Sequence, residues 1–234
     1  MKRLILLMIT CYCLLPGHAN TDIASDSLLQ VLQTLPHDTT RLSTLNDIIK
    51  IEQNNYKCIQ YSDTLMQEAL KLKNDKYASL AAYYHLLYYY NRSEQDSVAK
   101  WIVRMEPYVQ RSGLWDYFFD AQRFQIDLYT FTEQYELAIS EANKMKQKAL
   151  NTNSNRGTVA AYQCLSNAYI GSQRWDEGLK ALEEAYRLLP KKGNAVVHIS
   201  VLSQLISVTK EMKDNNRQLK YLQELESVLR KFII

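Results

Sequence analysis

The stretch VAAYQCLSNAYIGSQRWDEGLKALEEAYRLLPKK, residues 159–192, decides the fold. Its apolar and small residues recur every three or four positions on either side of a short link, residues 171–173. This spacing is typical of two amphipathic helices and not of strands. The first helix carries Tyr162, Leu165, Ser166 and Tyr169, and the second carries Trp175, Gly178, Leu182 and Ala185. Pro190 closes the second helix because it has no backbone N–H to donate.

This helical hairpin recurs along the chain at a period near 40 residues. Stepping back from Gly178 by 40 residues reaches Ala138, and a further 39 reaches Ala99, with Tyr129 and Tyr90 in the place of Tyr169. A copy around Gln218 and a weaker one that starts near Leu42 bring the number to five, over about residues 39–233. Each copy is about five residues longer than the common helical repeat of about 34.

Two details of this alignment are expectations that a structure can test. We expect the extra residues to lie in the links between hairpins, because the run 150–157 is polar and rich in turn formers. Gln122 and Gln125 occupy positions that the pattern prefers apolar, so the register of the third hairpin is uncertain by one residue.

The pattern resembles the tetratricopeptide repeat at most of its diagnostic positions. The resemblance implies an all-α fold, a right-handed α-solenoid of about five hairpins over residues 39–234, preceded by a polar capping segment at residues 20–38. Each hairpin of such an array buries its apolar stripe only against its neighbours. We interpret the 17 Tyr mainly as packing residues between helices.

The first 19 residues have the pattern of a cleaved secretion signal. Lys2 and Arg3 precede an apolar run from Leu4 to Leu15, and small residues follow at Gly17 and Ala19. The run has fewer than the roughly 20 residues that span a bilayer, so a membrane anchor is the weaker alternative. We expect cleavage near Ala19, a periplasmic or secreted mature chain, and no membrane insertion by that chain.

Charge and cysteine content narrow the function classes. The chain has 28 Lys and Arg and 25 Asp and Glu, and the signal removes only Lys2 and Arg3, so the mature chain is nearly neutral. Such a balance argues against nucleic-acid binding, which needs a concentrated basic face. Cys58 and Cys164 lie on different hairpins, beyond the reach of a disulfide, and are expected to be free buried thiols.

The sequence contains no pattern that indicates catalysis. His37, His85 and His198 stand in separate segments without metal-ligand spacing, and no glycine-rich loop could hold a phosphate. We therefore expect no enzymatic role, no cofactor and no metal. His85, within a run of Tyr and Leu, is interpreted as a packing residue.

A candidate binding face follows from the tetratricopeptide resemblance, which implies that the first helix of each hairpin lines a concave surface. Such a face suits an extended peptide or a helix; the alternative is that these are ordinary solvated positions. Outward positions four apart select Ser43 and Asp47, Tyr84 and Tyr88, Arg123 and Asp127, Gln163 and Asn167, and Ser203 and Ser207, with Asn91 and Arg92 extending the second pair.

Three phrases resemble the exported input region of Bacteroidetes membrane sensors, especially sensor histidine kinases: Leu35–Leu42, Cys58–Asp63 and Glu184–Pro190. The resemblance implies a periplasmic interaction module for signal transduction in a two-component system, with a protein or peptide partner or another ligand. The alternative is a stand-alone secreted scaffold or adaptor, because residues 229–234 are followed by no membrane or kinase segment in this sequence. Homodimerisation is left open.

Overall fold

The computed structural model describes residues 18–52, 56–190 and 195–233, and within these ranges every regular element is an α-helix. This confirms the all-α prediction. Residues 1–17, most of the expected signal segment, lie outside the described residues. The helices are α1 (His18–Thr34), α2 (Thr39–Ile51), α3 (Lys57–Lys71), α4 (Asp75–Tyr90), α5 (Gln95–Ser112), α6 (Trp115–Phe131), α7 (Tyr135–Asn151), α8 (Asn155–Gly171), α9 (Trp175–Leu188), α10 (Ala195–Glu211) and α11 (Asn215–Ile233).

Ten of these helices form the five hairpins that the period predicts. The hairpins are α2–α3, α4–α5, α6–α7, α8–α9 and α10–α11, and each second helix also packs against the first helix of the next hairpin. The first helices α2, α4, α6 and α8 pack on one another in the same order, so they form one layer and the second helices form the other. Contacts between neighbours in sequence therefore build an α-solenoid.

Side chains at the helix starts fix several of the boundaries. The carboxylate of Asp38 accepts a hydrogen bond from the backbone N–H of Thr40 at 2.8 Å, and Ser154 Oγ accepts one from Gly157 at 3.0 Å. Asn74 and Asp214 cap α4 and α11 in the same way. These oxygens satisfy backbone donors that have no partner inside the helix, which is why Asp, Asn and Ser stand at these positions.

Six helix ends share one turn, and α5 ends at the same 20-residue interval in a simpler turn, in which Gly113 N–H donates to the carbonyl of Val109 at 2.8 Å. After α8, Arg174 N–H donates to the carbonyl of Tyr169 at 2.8 Å and Gln173 N–H donates to Ile170 at 3.0 Å, which satisfies two terminal carbonyls in the Schellman arrangement. The residue in the left-handed region is Lys73, Ser93, Gly113, Glu133, Asn153, Gln173 or Lys213 in successive turns. One helix plus one link therefore occupies 20 residues, and one hairpin occupies 40.

This regularity corrects two sequence expectations. The extra residues lengthen the helices and do not lie between hairpins: of the run 150–157, only residues 152–154 form a link. The step from Ala138 to Ala99 is wrong by one residue, because the buried residue 40 positions earlier is Val98. Likewise Tyr89, not Tyr90, is equivalent to Tyr129 and provides the turn carbonyl for Glu94.

The third hairpin keeps the same 40-residue register. Ile126 is buried, and Gln125 is half-buried and donates from Nε2 to the hydroxyl of Tyr129 at 2.8 Å. Gln122 is also half-buried, and its Oε1 has no hydrogen-bond partner among the described residues. The two glutamines therefore occupy the packing positions that the pattern predicts. The hydrogen bond from Gln125 to Tyr129, within α6, satisfies part of their hydrogen-bonding capacity.

The hydrophobic core follows the stack as three clusters, over α1–α4, α4–α9 and α8–α11, and each cluster joins neighbouring hairpins. The central cluster holds Phe118 and Phe119 of α6, edge to face at 5.9 Å, with Trp115 against both rings. Gly157 allows α8 to approach this cluster, since a Cβ there would lie 2.5 Å from the ring of Phe119. Side-chain size thus sets the spacing between the third and fourth hairpins.

Residues 20–38, expected only to be a polar cap, mostly form helix α1. Leu32 of α1 is buried beside Leu42 and Leu45 of α2, and Ser25 donates a hydrogen bond to Glu52 at 2.8 Å. The N-terminal end of the apolar stack is therefore covered by a helix. The sequence pattern missed this helix because it precedes the first copy of the 40-residue repeat.

The two cysteines in the described part of the chain are free and buried, as expected. Burial raises the pKa of both thiols, because an apolar environment disfavours the thiolate. Among the described residues, no helix is long and apolar enough to cross a membrane.

Candidate functional site

The exact 40-residue register defines two rows on the first helices, which we call the ladder. One row is Ser43, Tyr83, Arg123, Gln163 and Ser203, and the other is Asp47, Leu87, Asp127, Asn167 and Ser207. Every ladder side chain keeps some exposure to solvent: Asp47, Asn167 and Ser207 are exposed, and the others are half-buried. The ladder therefore contains all but four of the residues predicted for the concave face, the exceptions being Tyr84, Tyr88, Asn91 and Arg92.

Tyr84 does not belong to this face. It is only 5% exposed, and its hydroxyl donates to Oδ1 of Asn46 on α2 at 2.9 Å. Burial raises the pKa of its phenol well above the ordinary value. The prediction was wrong because the 39-residue step shifted the second hairpin by one position, and Tyr83 takes the ladder place.

Tyr88 and Asn91 also lie off the ladder. The guanidinium of Arg92 stacks on the Tyr88 ring at 3.4 Å from the centroid, and Leu87 holds the ladder position. Asn91 follows the end of α4 and is exposed. The Tyr88–Arg92 pair is thus a surface contact near the turn between α4 and α5.

Aromatic rings occupy the middle of the ladder. The Tyr83 ring meets Tyr117 of α6 edge to face at 5.0 Å and lies 6.4 Å from Phe124. Burial, with a smaller effect of the Asp120 charge, raises the pKa of Tyr83 to about 12. Tyr117 is 36% exposed, so its ring is the most accessible of the three.

A network of charges lies beside these rings and joins α6 to α8. Arg156 of α8 contacts Asp120 at 2.8 Å and Asp116 at 3.8 Å. Arg123 lies 4.0 Å from Asp120 and over the ring of Phe124. Asp116 and Arg156 are 40 residues apart, so the exact period could have predicted that these two residues are neighbours. The other contacts of the network depend on how the helices pack.

Asp127 is a ladder carboxylate whose ionisation is perturbed by burial. Its side chain is half-buried, and among the described residues its carboxylate forms no hydrogen bond or ion pair within contact distance. Burial raises its pKa from 3.8 to about 6, and the charge of Arg123 offsets only part of that effect. A ligand cation placed here would relieve the cost of the buried charge.

The C-terminal part of the ladder consists of polar side chains, and one hydrogen bond joins its two helices. Gln163 Nε2 donates to Gln204 Oε1 at 3.1 Å, which links α8 to α10. Asn167 and Ser207 remain exposed one turn further along these helices. The ladder therefore changes from aromatic and charged at α4 and α6 to amide and hydroxyl groups at α8 and α10.

Away from the ladder, His85 packs as expected. It is 3% exposed and stacks on Trp101 at 4.0 Å between ring centroids, and its Nε2 lies 3.1 Å from Oδ1 of Asp63. Burial lowers the pKa of His85, although Asp63 acts in the opposite direction. Within the described ranges, no three His, Cys, Asp or Glu side chains come together as a metal site.

No family model and no curated protein matches this sequence. Among solved structures, the chain is similar to the crystal structure of BtubC (BKLC) from P. vanneervenii. The TM-score is 0.62, the alignment covers 92% of this chain and 90% of that chain, and the sequence identity is 13%. At this identity the similarity is one of fold.

Proposed function

We propose that this protein is an exported interaction module that binds a protein or peptide along the ladder. The accessible Tyr117 ring, the Arg123–Asp120–Arg156 network and the uncompensated Asp127 support this proposal. Tyr117, Asp120, Arg123 and Asp127 follow one another along α6, and Arg156 lies on the adjacent α8, so an extended ligand can contact several of them at once. The proposed mechanism is binding alone, without catalysis.

In the cell, we place this module in the periplasm, as the sensory domain of a membrane signal-transduction protein such as a two-component sensor histidine kinase. The signal pattern of residues 1–19 and the resemblance of the three phrases to Bacteroidetes sensors support that role. Ligand binding would be relayed by a change in solenoid curvature or in dimer packing. The second candidate is a secreted tetratricopeptide-like adaptor, and the two are separated by whether the gene encodes a membrane helix downstream.

The ladder assignment is tested with two double variants. Tyr117→Ala with Arg123→Ala, called the ladder variant, removes the aromatic ring that packs against ladder residue Tyr83 and a basic side chain of the ladder itself. Tyr56→Ala with Arg187→Ala removes the same types from exposed positions elsewhere, 59% exposed for Tyr56 and 68% for the Arg187 side chain. A partner is captured from periplasmic extract with the wild-type protein, purified, and titrated against each form by calorimetry.

We expect the ladder variant to raise the Kd of the partner about tenfold or more, since such anchors dominate interface energies. The control variant should bind as the wild type does. Equal binding by the ladder variant and the wild type would overturn the ladder assignment, and circular dichroism establishes that both variants remain folded.

A further inference from the structure

The two carboxylates of the ladder differ in their counter-ions. Asp47 on α2 is 51% exposed and lies 2.9 Å from Nζ of Lys50. Asp127 on α6 is half-buried, and among the described residues no hydrogen bond or ion pair reaches its carboxylate. Within the described part of the chain, the more buried of the two ladder carboxylates is thus the one without a cation.

The basic residue on the same face of α6 is committed to other groups. Arg123 stands four positions before Asp127, a spacing at which helical side chains often pair. Its guanidinium instead lies over the Phe124 ring at 4.9 Å from the centroid, and its Nε lies 4.0 Å from Asp120. Burial raises the pKa of Asp127 to about 6, and the charge of Arg123 offsets only part of that effect.

The charges around this position leave a negative excess. Asp116, Asp120 and Asp127 carry three negative charges, and Arg123 and Arg156 carry two positive ones. Arg156 contacts Asp116 and Asp120, and Arg123 lies on the Asp120 side, so the excess charge resides at Asp127. Charge complementarity therefore favours a cationic ligand at this point of the ladder.

Side chains of the two neighbouring first helices flank the carboxylate. Tyr90 of α4 packs against Phe124 at 4.6 Å between ring centroids. Burial, and after it the charge of Asp127, raises the pKa of the Tyr90 phenol, so the phenol and the carboxylate lie within electrostatic reach of each other. Burial and the same charge raise the pKa of the Cys164 thiol on α8. A long side chain with a charged end suits such surroundings, because its methylenes can contact the rings while its head meets the carboxylate.

We propose that Asp127 binds the cationic head of a lysine or arginine side chain of the partner, so that the ladder recognises an extended, basic peptide segment. Hydrogen bonds between a cationic donor and a carboxylate are among the stronger ones in proteins. The free protein already bears the cost of desolvating Asp127, so the incoming cation has only its own water to lose. This inference rests on the proposed function, because it names the partner class of the ladder.

The first test is a selection from a random library of twelve-residue peptides displayed on phage, with the protein as bait. We expect the enriched peptides to carry Lys or Arg at one fixed position, and the ratio of the two identifies the head group. The selection is repeated on Asp127→Asn, which keeps the shape of the side chain and removes its charge, and the basic preference should be lost. The matched control is Asp176→Asn, which makes the same change at an exposed position of α9 and should keep the preference.

The second test measures whether the two charges interact. One enriched peptide, and the same peptide with its basic residue replaced by Gln, are titrated by calorimetry at pH 7.5. The replacement should raise the Kd for the wild type about tenfold or more and change the Kd for Asp127→Asn little, since the peptide charge then has no partner to lose. Circular dichroism establishes that each variant remains folded.

The outcomes separate this inference from the proposed function. Peptides that the ladder variant fails to bind, but that show no preference for Lys or Arg, would overturn the cation site alone. A basic preference that Asp127→Asn retains would have the same meaning. If no peptide is enriched, or if the ladder variant binds the enriched peptides as the wild type does, the proposed function fails and this inference fails with it.

Discussion

At the residue scale, Asp127 links stability to pH. Its folded-state pKa of about 6 is above its ordinary value of 3.8, so between these values the folded protein binds more protons than the unfolded chain. The contribution of this group to stability is therefore full below about pH 4, and it is lost as the pH rises through about 6. Above that pH the protein carries a destabilising carboxylate in the middle of the ladder.

We expect Asp127→Asn to raise the free energy of unfolding at pH 7.5 by about 1 to 2 kcal/mol, because the amide removes the buried charge. The gain should disappear near pH 4, where the wild-type group is protonated. Urea unfolding of both proteins at the two pH values measures this difference.

Asp47→Asn is the matched control for this substitution, since Asp47 holds the same ladder row on α2 with its side chain 51% exposed. It should change stability little at either pH. An Asp127→Asn variant that is no more stable than the wild type at pH 7.5 would show that the carboxylate is solvated in the folded protein.

At the element scale, the repeated turn places ordinary residues in a left-handed conformation. Gln173 has φ of 65° and Asn153 has φ of 54°, and both side chains are exposed. A Cβ makes this conformation unfavourable by about 1 to 2 kcal/mol for most residues, while Asn tolerates it better. The hydrogen bonds of the turn therefore fix where each helix ends. The residue type at the left-handed position does not by itself favour that conformation.

We expect Gln173→Gly to stabilise the protein by about 0.5 to 1 kcal/mol, because glycine removes the steric strain of the left-handed conformation. The greater entropy of glycine in the unfolded chain offsets part of this gain. Asn153→Gly should give a smaller gain at the equivalent turn. Thermal or urea unfolding ranks the two variants. A loss of stability in Gln173→Gly, or a larger gain at Asn153, would contradict the turn assignment.

At the scale of the whole molecule, stability is the sum of contacts between neighbours. The largest core cluster joins α4 to α9, whereas α1 and α11 each have a neighbour in the stack on one side only. End units of a solenoid lose fewer contacts when they open, so they open first.

We expect hydrogen exchange, followed by mass spectrometry, to be fastest in α1 and in α10–α11 and slowest in α6–α8. The measurement is made on the wild-type protein. Uniform protection from α1 to α11 would mean that the stack opens as one unit.

Much of this architecture could be predicted because it depends on local spacing. The 3- and 4-residue spacing around Gly178 gave the hairpin, and a period near 40 gave the number of hairpins. The one-residue error at Ala99 had a large effect, since adjacent positions on a helix differ by 100° in direction. Because of this error the sequence analysis selected Tyr84 in place of the ladder residue Tyr83. In the structure Tyr84 is buried and its hydroxyl donates to Asn46.

The sequence by itself determined that the chain is helical, that the helices pair into five hairpins and that Cys58 and Cys164 are free, because helix periodicity and wide separation along a stack are local or additive properties. Only the tertiary structure decided that the long period comes from longer helices, that α1 covers the first hairpin, and that Tyr83, Tyr117, Asp120 and Arg156 meet. These features depend on which face each helix turns toward its neighbours, and packing of side chains such as Phe119 against Gly157 fixes that choice.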